Sequence, residues 1–135
     1  MKMFAERILE FRSHRLIFEK VMLLREVPTW KYLFENGVDI QIDNNCAIRF
    51  ASEQGYLDLA KYFHKNGADI TAYDNYAIRH AAEKGYLDIV KYLYRHGVDI
   101  TAKNNYAFRW SDANGHIKVV KYLKERMKQP FTKVG

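Results

Sequence analysis

A short phrase ending in Asp-Ile returns every 30 residues, as "NGVDI" at 36–40, "NGADI" at 66–70 and "HGVDI" at 96–100. Laid over one another without a gap, residues 43–72 and 73–102 agree at 17 of 30 positions. A fixed period of this length marks one small unit copied along the chain. Such a unit cannot bury its apolar face alone, so copies must stack, and about three are needed for stability. Units run 43–72, 73–102 and 103–129, preceded by a divergent copy at 14–42 in which "PTWKYLFENGVDI" matches "DLAKYFHKNGADI".

Inside one unit, "NYAIRHAAEKGYLDIVKYLYRHGVDI", two helical runs are punctuated by glycine. Asn75 is placed to cap the first helix with its side-chain oxygen, and Ile78 with Ala81 or Ala82 gives a short buried face. Gly85 ends that helix. A second run from about Leu87 to Tyr94 sets Ile89, Val90 and Leu93 on one side and closes at Gly97, before an extended "DITAK" link. Alanines 47, 51, 77, 81, 82 and 107 let the first helices lie close together. The expected fold is an all-α solenoid, one domain over 1–135. Residues 1–13 form a capping helix with Phe4, Ile8 and Phe11 on its stripe, Pro28 opens a second helix, and the lysine-rich "KYLKERMKQP" makes 103–129 the closing cap before a tail at 130–135.

Composition narrows the function classes. The start, "MKMFAERILEFRSHR", is broken by charge every few residues, so neither a signal peptide nor a membrane span is expected. Cys46 is the only cysteine, which excludes an internal disulfide and fits a reducing intracellular setting. The net charge of +6 is unevenly placed: residues 103–135 hold eight basic and two acidic side chains, while the earlier units are near balance.

"GYLDIVKYL" at 85–93 followed by "HGVDI", and "NGHIKVVKYL" at 114–123, closely resemble the second helix and closing turn of ankyrin repeats. The resemblance covers about residues 14–127. Ordinary ankyrin units are about 33 residues long and open on Thr-Pro-Leu-His; here the period is 30 and the matching phrases are Cys46-Ala47-Ile48-Arg49, Tyr76-Ala77-Ile78-Arg79 and Tyr106-Ala107-Phe108-Arg109. That short variety resembles the arrays encoded in large numbers by giant DNA viruses of amoebae. The resemblance implies a noncatalytic module that presents a concave surface to another protein. It also implies that the β-hairpin fingers of ordinary arrays are shortened to tight turns. If the chain is viral, the expected setting is the host-cell cytoplasm, with the nucleus also open.

Comparing the units separates positions the stack needs from positions it leaves free. Asn45/Asn75/Asn105, Arg49/Arg79/Arg109, Gly55/Gly85/Gly115, Lys61/Lys91/Lys121 and Tyr62/Tyr92/Tyr122 are constant. Each arginine, with five donors in a fixed fork, is expected to tie its helix to a carbonyl or to an aspartate such as Asp39, Asp69 or Asp99; the competing reading is a row gripping phosphates or an acidic peptide. The lysines read as a solvated outer face. Phe50, His80 and Trp110 share one variable position on the first helix. Glu53 with Gln54, Glu83 with Lys84, and Ala113 with Asn114 follow three and four residues later on the same face. Tyr73, Asp74, Tyr76, Lys103 and Tyr106 form a rim. Aromatic rings beside adaptable polar groups suit a protein partner.

Chemistry finds little footing. Histidines 14, 64, 80, 96 and 116 share no metal-ligand spacing, and no CxxC, HExxH or glycine-rich phosphate loop occurs. No enzyme activity, cofactor, metal or small-molecule substrate is expected, and the chain reads as a monomer. The alternative function rests on Lys118, Lys121, Lys124, Arg126 and Lys128, a basic run able to meet an acidic partner or nucleic acid, although without a base-stacking pattern.

Overall fold

The computed structural model describes residues 25–134, and the side chains of 25–128; the expected capping helix at 1–13 and most of the first helix of the divergent unit lie outside them. Seven helices follow in order among the described residues: α1 (Val27–Glu35), α2 (Ile42–Gln54), α3 (Leu57–Lys65), α4 (Ala72–Lys84), α5 (Leu87–Arg95), α6 (Ala102–Ala113) and α7 (Ile117–Val134). The chain is thus an all-α repeat solenoid. Helices α2–α3, α4–α5 and α6–α7 are the hairpins of the three full units, and α1 is the second helix of the divergent one.

Each first helix stops at a left-handed glycine, and the residue after it donates back to the helix: Tyr86 N–H to Ala81 O at 2.9 Å, for example. Second helices close in the same way, with Ala68 N–H to Phe63 O at 2.9 Å. These are glycine-terminated caps that satisfy the last carbonyls. Pro28 stands in the opening turn of α1 as expected. Helix α7 continues to Val134, through the residues read from sequence as a tail, where the other second helices have nine residues.

Alanines 47, 51, 77, 81, 82 and 107 are all buried to 1% or less, and their small size brings α2 along α4 and α4 along α6. The second helices are held apart by larger rings and meet their neighbours at few points. The first helices thus form the closely packed, inner side of the stack and the second helices its outer side. The core is a continuous column, from Trp30 against Phe63 (4.9 Å, edge to face) through Ile48, Ile78, Ile89 and Leu93 to Leu123.

The links between units differ from the extended link read in "DITAK". Three consecutive non-glycine residues in each are left-handed, Asp43-Asn44-Asn45, Tyr73-Asp74-Asn75 and Lys103-Asn104-Asn105, with φ between 52° and 61°. Each turn is closed by a bond from its third residue to the carbonyl four before, as in Asn75 N–H to Thr71 O at 2.9 Å. Asn and Asp tolerate this region better than other residues, which suits seven of the nine positions, but Tyr73 and Lys103 gain nothing locally. This compact left-handed turn replaces the hairpin finger and explains the 30-residue period. It also moves the expected cap: Asn75 is itself left-handed, and the Asn45 side-chain oxygen accepts the Asp69 N–H at 2.9 Å, far along the same unit, instead of capping its own helix.

Candidate partner-binding face

What holds the strained turns is the constant arginine. Arg49 donates from Nε to Asn44 O (3.0 Å) and from Nη2 to Asp43 O (2.9 Å). Arg79 repeats this on Asp74 O and Tyr73 O (2.9 and 3.0 Å), and Arg109 on Asn104 O and Lys103 O (2.8 and 3.3 Å). Of the two ties open from sequence, the carbonyl is the one made. The aspartates are occupied elsewhere: Asp69 Oδ1 accepts from the Thr71 N–H and hydroxyl, Asp99 from Thr101 likewise, and Asp39 from the Gln41 N–H. The guanidiniums of Arg49 and Arg79 also lie over rings of the following unit, Arg49 over Tyr73 at 4.9 Å and Tyr76 at 5.1 Å, Arg79 over Tyr106 at 4.9 Å. Planar stacking of this kind is one that lysine cannot reproduce.

The two glutamates placed on the variable face turn out to join units. Tyr76 Oη donates to Glu53 at 2.7 Å and Tyr106 Oη to Glu83 at 2.7 Å. Burial first, and the accepting carboxylate next, push both phenols up to about 12, so they remain donors through neutral and mildly alkaline pH. Asn114 is likewise engaged, donating from Nδ2 to Glu83 O at 3.0 Å, and Lys103 meets Asp74 at 3.1 Å as an exposed ion pair of small energetic weight. Gln54 and Lys84 are exposed at the ends of their helices.

The rings form one strip along the inner helices. Tyr73 meets Tyr76 (centroids 6.3 Å), Tyr76 stacks on His80 (3.8 Å, 30°), His80 meets Tyr106 (5.4 Å) and Tyr106 meets Trp110 (5.9 Å). Tyr73 is 60% exposed and Trp110 41%, so the strip ends at both sides in a large open ring. His80 is held between two tyrosines with Nδ1 buried 3.4 Å from a Glu83 carboxylate oxygen, outside hydrogen-bond geometry. Phe50, its equivalent, does not join the strip. Its own helix carries Cys46 where the others carry Tyr76 and Tyr106, so Phe50 has no ring there to stack on and packs half-buried against Tyr56 at 6.3 Å. The Cys46 thiol is pushed up to about 11, by burial first and by Asp43 next, against a lowering by Arg49; at neutral pH it is protonated and a poor nucleophile.

The family model for ankyrin repeats in three copies matches residues 22–104. The chain belongs to the ankyrin repeat family. An ankyrin repeat protein of Acanthamoeba polyphaga mimivirus is 40% identical over 52 residues, covering 38% of this chain and 17% of the viral protein. An uncharacterized protein of the same virus is 33% identical over 58 residues, covering 43% and 42%. The chain therefore spans less than half the length of either relative, and both are proteins of a giant virus of an amoeba.

On the outer side of this ankyrin array lies a cluster that linear spacing missed. His64 Nδ1 is 2.6 Å from Tyr92 Oη, the imidazoles of His64 and His96 are 4.8 Å apart, and His96 Nδ1 is 2.7 Å from Tyr92 O. Residues about one period apart are neighbours in a stack, so 64 and 96 meet at the joint between α3 and α5. Among the described residues no three metal-ligating groups gather anywhere. The constant lysines are less solvated than expected: Lys61 and Lys91 are half-buried with Nζ 5.7 Å from the Tyr92 and Tyr122 rings. In the basic run, Lys118, Lys121, Lys124 and Lys128 are exposed, whereas Arg126 is half-buried over the Tyr122 ring at 4.3 Å.

Burial, and then the neighbouring His96, lowers the His64 pKa; burial and Arg79 lower that of His80, partly offset by Glu83 and Glu53. A histidine whose folded pKa lies below its unfolded value of about 6.5 binds protons more readily when unfolded, so stability is full above about pH 7.5 and falls as the pH drops through 6.5. The urea midpoint is accordingly expected to decline between pH 7.5 and 5.5. His64→Gln with His80→Gln should flatten that slope; an unchanged slope would place its origin elsewhere.

Proposed function

We propose that this ankyrin repeat chain is a noncatalytic interaction module that holds a protein partner against its inner, first-helix face. The family is one of protein-binding repeats, typically without catalysis, and no described helix is long and apolar enough to cross a membrane. The observation that carries the reading is the aromatic strip ending in the open rings of Tyr73 and Trp110. Large rigid rings bury much area at little entropic cost and are the side chains on which binding energy concentrates. His80, Tyr76 and Tyr106 supply the floor, and Gln54, Lys84, Asp74 and Lys103 the polar rim. Since its relatives belong to a virus of an amoeba, the partner is a protein of such a host, met in the cytoplasm by the monomeric chain.

Affinity capture from Acanthamoeba lysate compares wild type with Tyr73→Ala/Trp110→Ala, both checked by thermal melts. Two lost anchors of roughly 2 kcal/mol each predict at least a tenfold drop in recovered partner. Identical recovery by the two baits removes the inner face from the mechanism.

A further inference from the structure

Each interior joint of the array records what a given position grips, and the last unit presents the same positions uncovered. Arg79 lies over Tyr106 and Lys91 over Tyr122, each a ring of the next unit. Gly55 and Gly85 are covered so closely that an added Cβ would sit 2.9 Å from the Tyr86 ring and 2.5 Å from His116. Leu57 and Leu87, at the start of the second helix, are half-buried. At the C-terminal end no described ring lies over Arg109 or Lys121, a Cβ on Gly115 would meet nothing within 4 Å, and Ile117 is 79% exposed. Ile117 has the same place on its hairpin as Leu57 and Leu87, and among the described residues nothing covers it.

We propose that this end face, with Arg109, Gly115, Ile117 and Lys121, is a second docking site, taking an acidic segment of another protein that carries aromatic rings. The rings are specified by the interior joints, where the equivalents of Arg109 and Lys121 each hold one and the equivalents of Gly115 each receive one. The aliphatic contact is specified by Ile117. The charge is specified by residues 103–135, with eight basic and two acidic side chains, among which Lys118, Lys121 and Lys124 are exposed. Opposite charge speeds encounter and excludes wrong partners. A second copy docked end to end by the same face would set this excess against itself, and a nucleic acid leaves the aliphatic Ile117 without use. The site is independent of the inner-face reading, because its test leaves Tyr73, His80 and Trp110 intact.

A displayed library of random 16-residue peptides is panned on wild type and on Ile117→Gln/Lys121→Gln, two exposed positions whose change should leave the melt unmoved. The expected result is enrichment of sequences combining Asp or Glu with Tyr, Phe or Trp, whose individual synthetic peptides bind the variant at least tenfold more weakly. Peptides without that composition, equal binding to the variant, or no enrichment over blank beads overturns the proposal. So does a thymidine 16-mer that binds wild type more tightly than the best peptide and is lost on the variant, which would give the face to nucleic acid.

Discussion

Arg79→Ala is expected to lower folding stability by about 3–4 kcal/mol, a large loss for one side chain outside the apolar core. Arg79 is 8% exposed and donates two hydrogen bonds to carbonyls of a turn whose three residues are all left-handed. Hydrogen bonds from charged donors are worth about 1.5–3 kcal/mol each, and left-handed backbone costs about 1–2 kcal/mol per ordinary residue. Removing the fork leaves the turn strained and its carbonyls unmatched, and takes the guanidinium off the Tyr106 ring. Arg79→Lys should recover little, because an ammonium cannot bond two diverging carbonyls while lying flat on a ring. The three positions form a graded series: Arg49 is half-buried, and Arg109 is exposed with no described ring over it, so Arg109→Ala should cost only about 1 kcal/mol. Urea unfolding measures this, with the m-value watched because long arrays can lose cooperativity. Small, equal losses at all three positions would mean the turns hold themselves.

That series shows which parts of the architecture could be read beforehand. The period, the helix pair, the glycine stops and the alanine-lined inner helices follow from signals inside one unit, each with a local cause. The left-handed turns do not. Asn44, Asn45, Asp74 and Asn75 hint at them, but Tyr73 and Lys103 do not, and the conformation depends on an arginine five or six residues further on. The ring strip was half legible. The shared position of His80 and Trp110 was visible, while the exclusion of Phe50 depends on a single neighbouring difference, Cys46 for tyrosine. Helix spacing alone assigns Glu53 and Glu83 to the surface, but both lie 23 residues before the tyrosine they accept from, an offset that the stack turns into contact. His64 and His96, 32 residues apart, meet through an offset of the same kind. In a stacked array the informative spacing for a site is one period give or take about seven residues.

The same period makes the glycine series a direct measure of packing between units. Gly85→Ala places a Cβ 2.5 Å from His116 Nδ1 and 2.8 Å from Cε1, at a backbone φ of +85°. The conformation alone costs an L-residue about 1–2 kcal/mol, and displacing a packed ring adds roughly 1–3 kcal/mol. A total loss of about 3 kcal/mol is expected from these two sources. Gly115→Ala has nearly the same backbone, φ +76°, but nothing within 4 Å of the new Cβ, so only the conformational part, about 1 kcal/mol, should be lost. His116→Ala in the Gly85→Ala background empties the contested space and should bring the further loss down to the Gly115 value. A cycle through the four chains isolates the coupling, since the two residues touch. If Gly85→Ala and Gly115→Ala cost the same, the glycine is kept for its dihedral angle alone, and the close seat of each ring on the preceding turn contributes nothing to holding the units together.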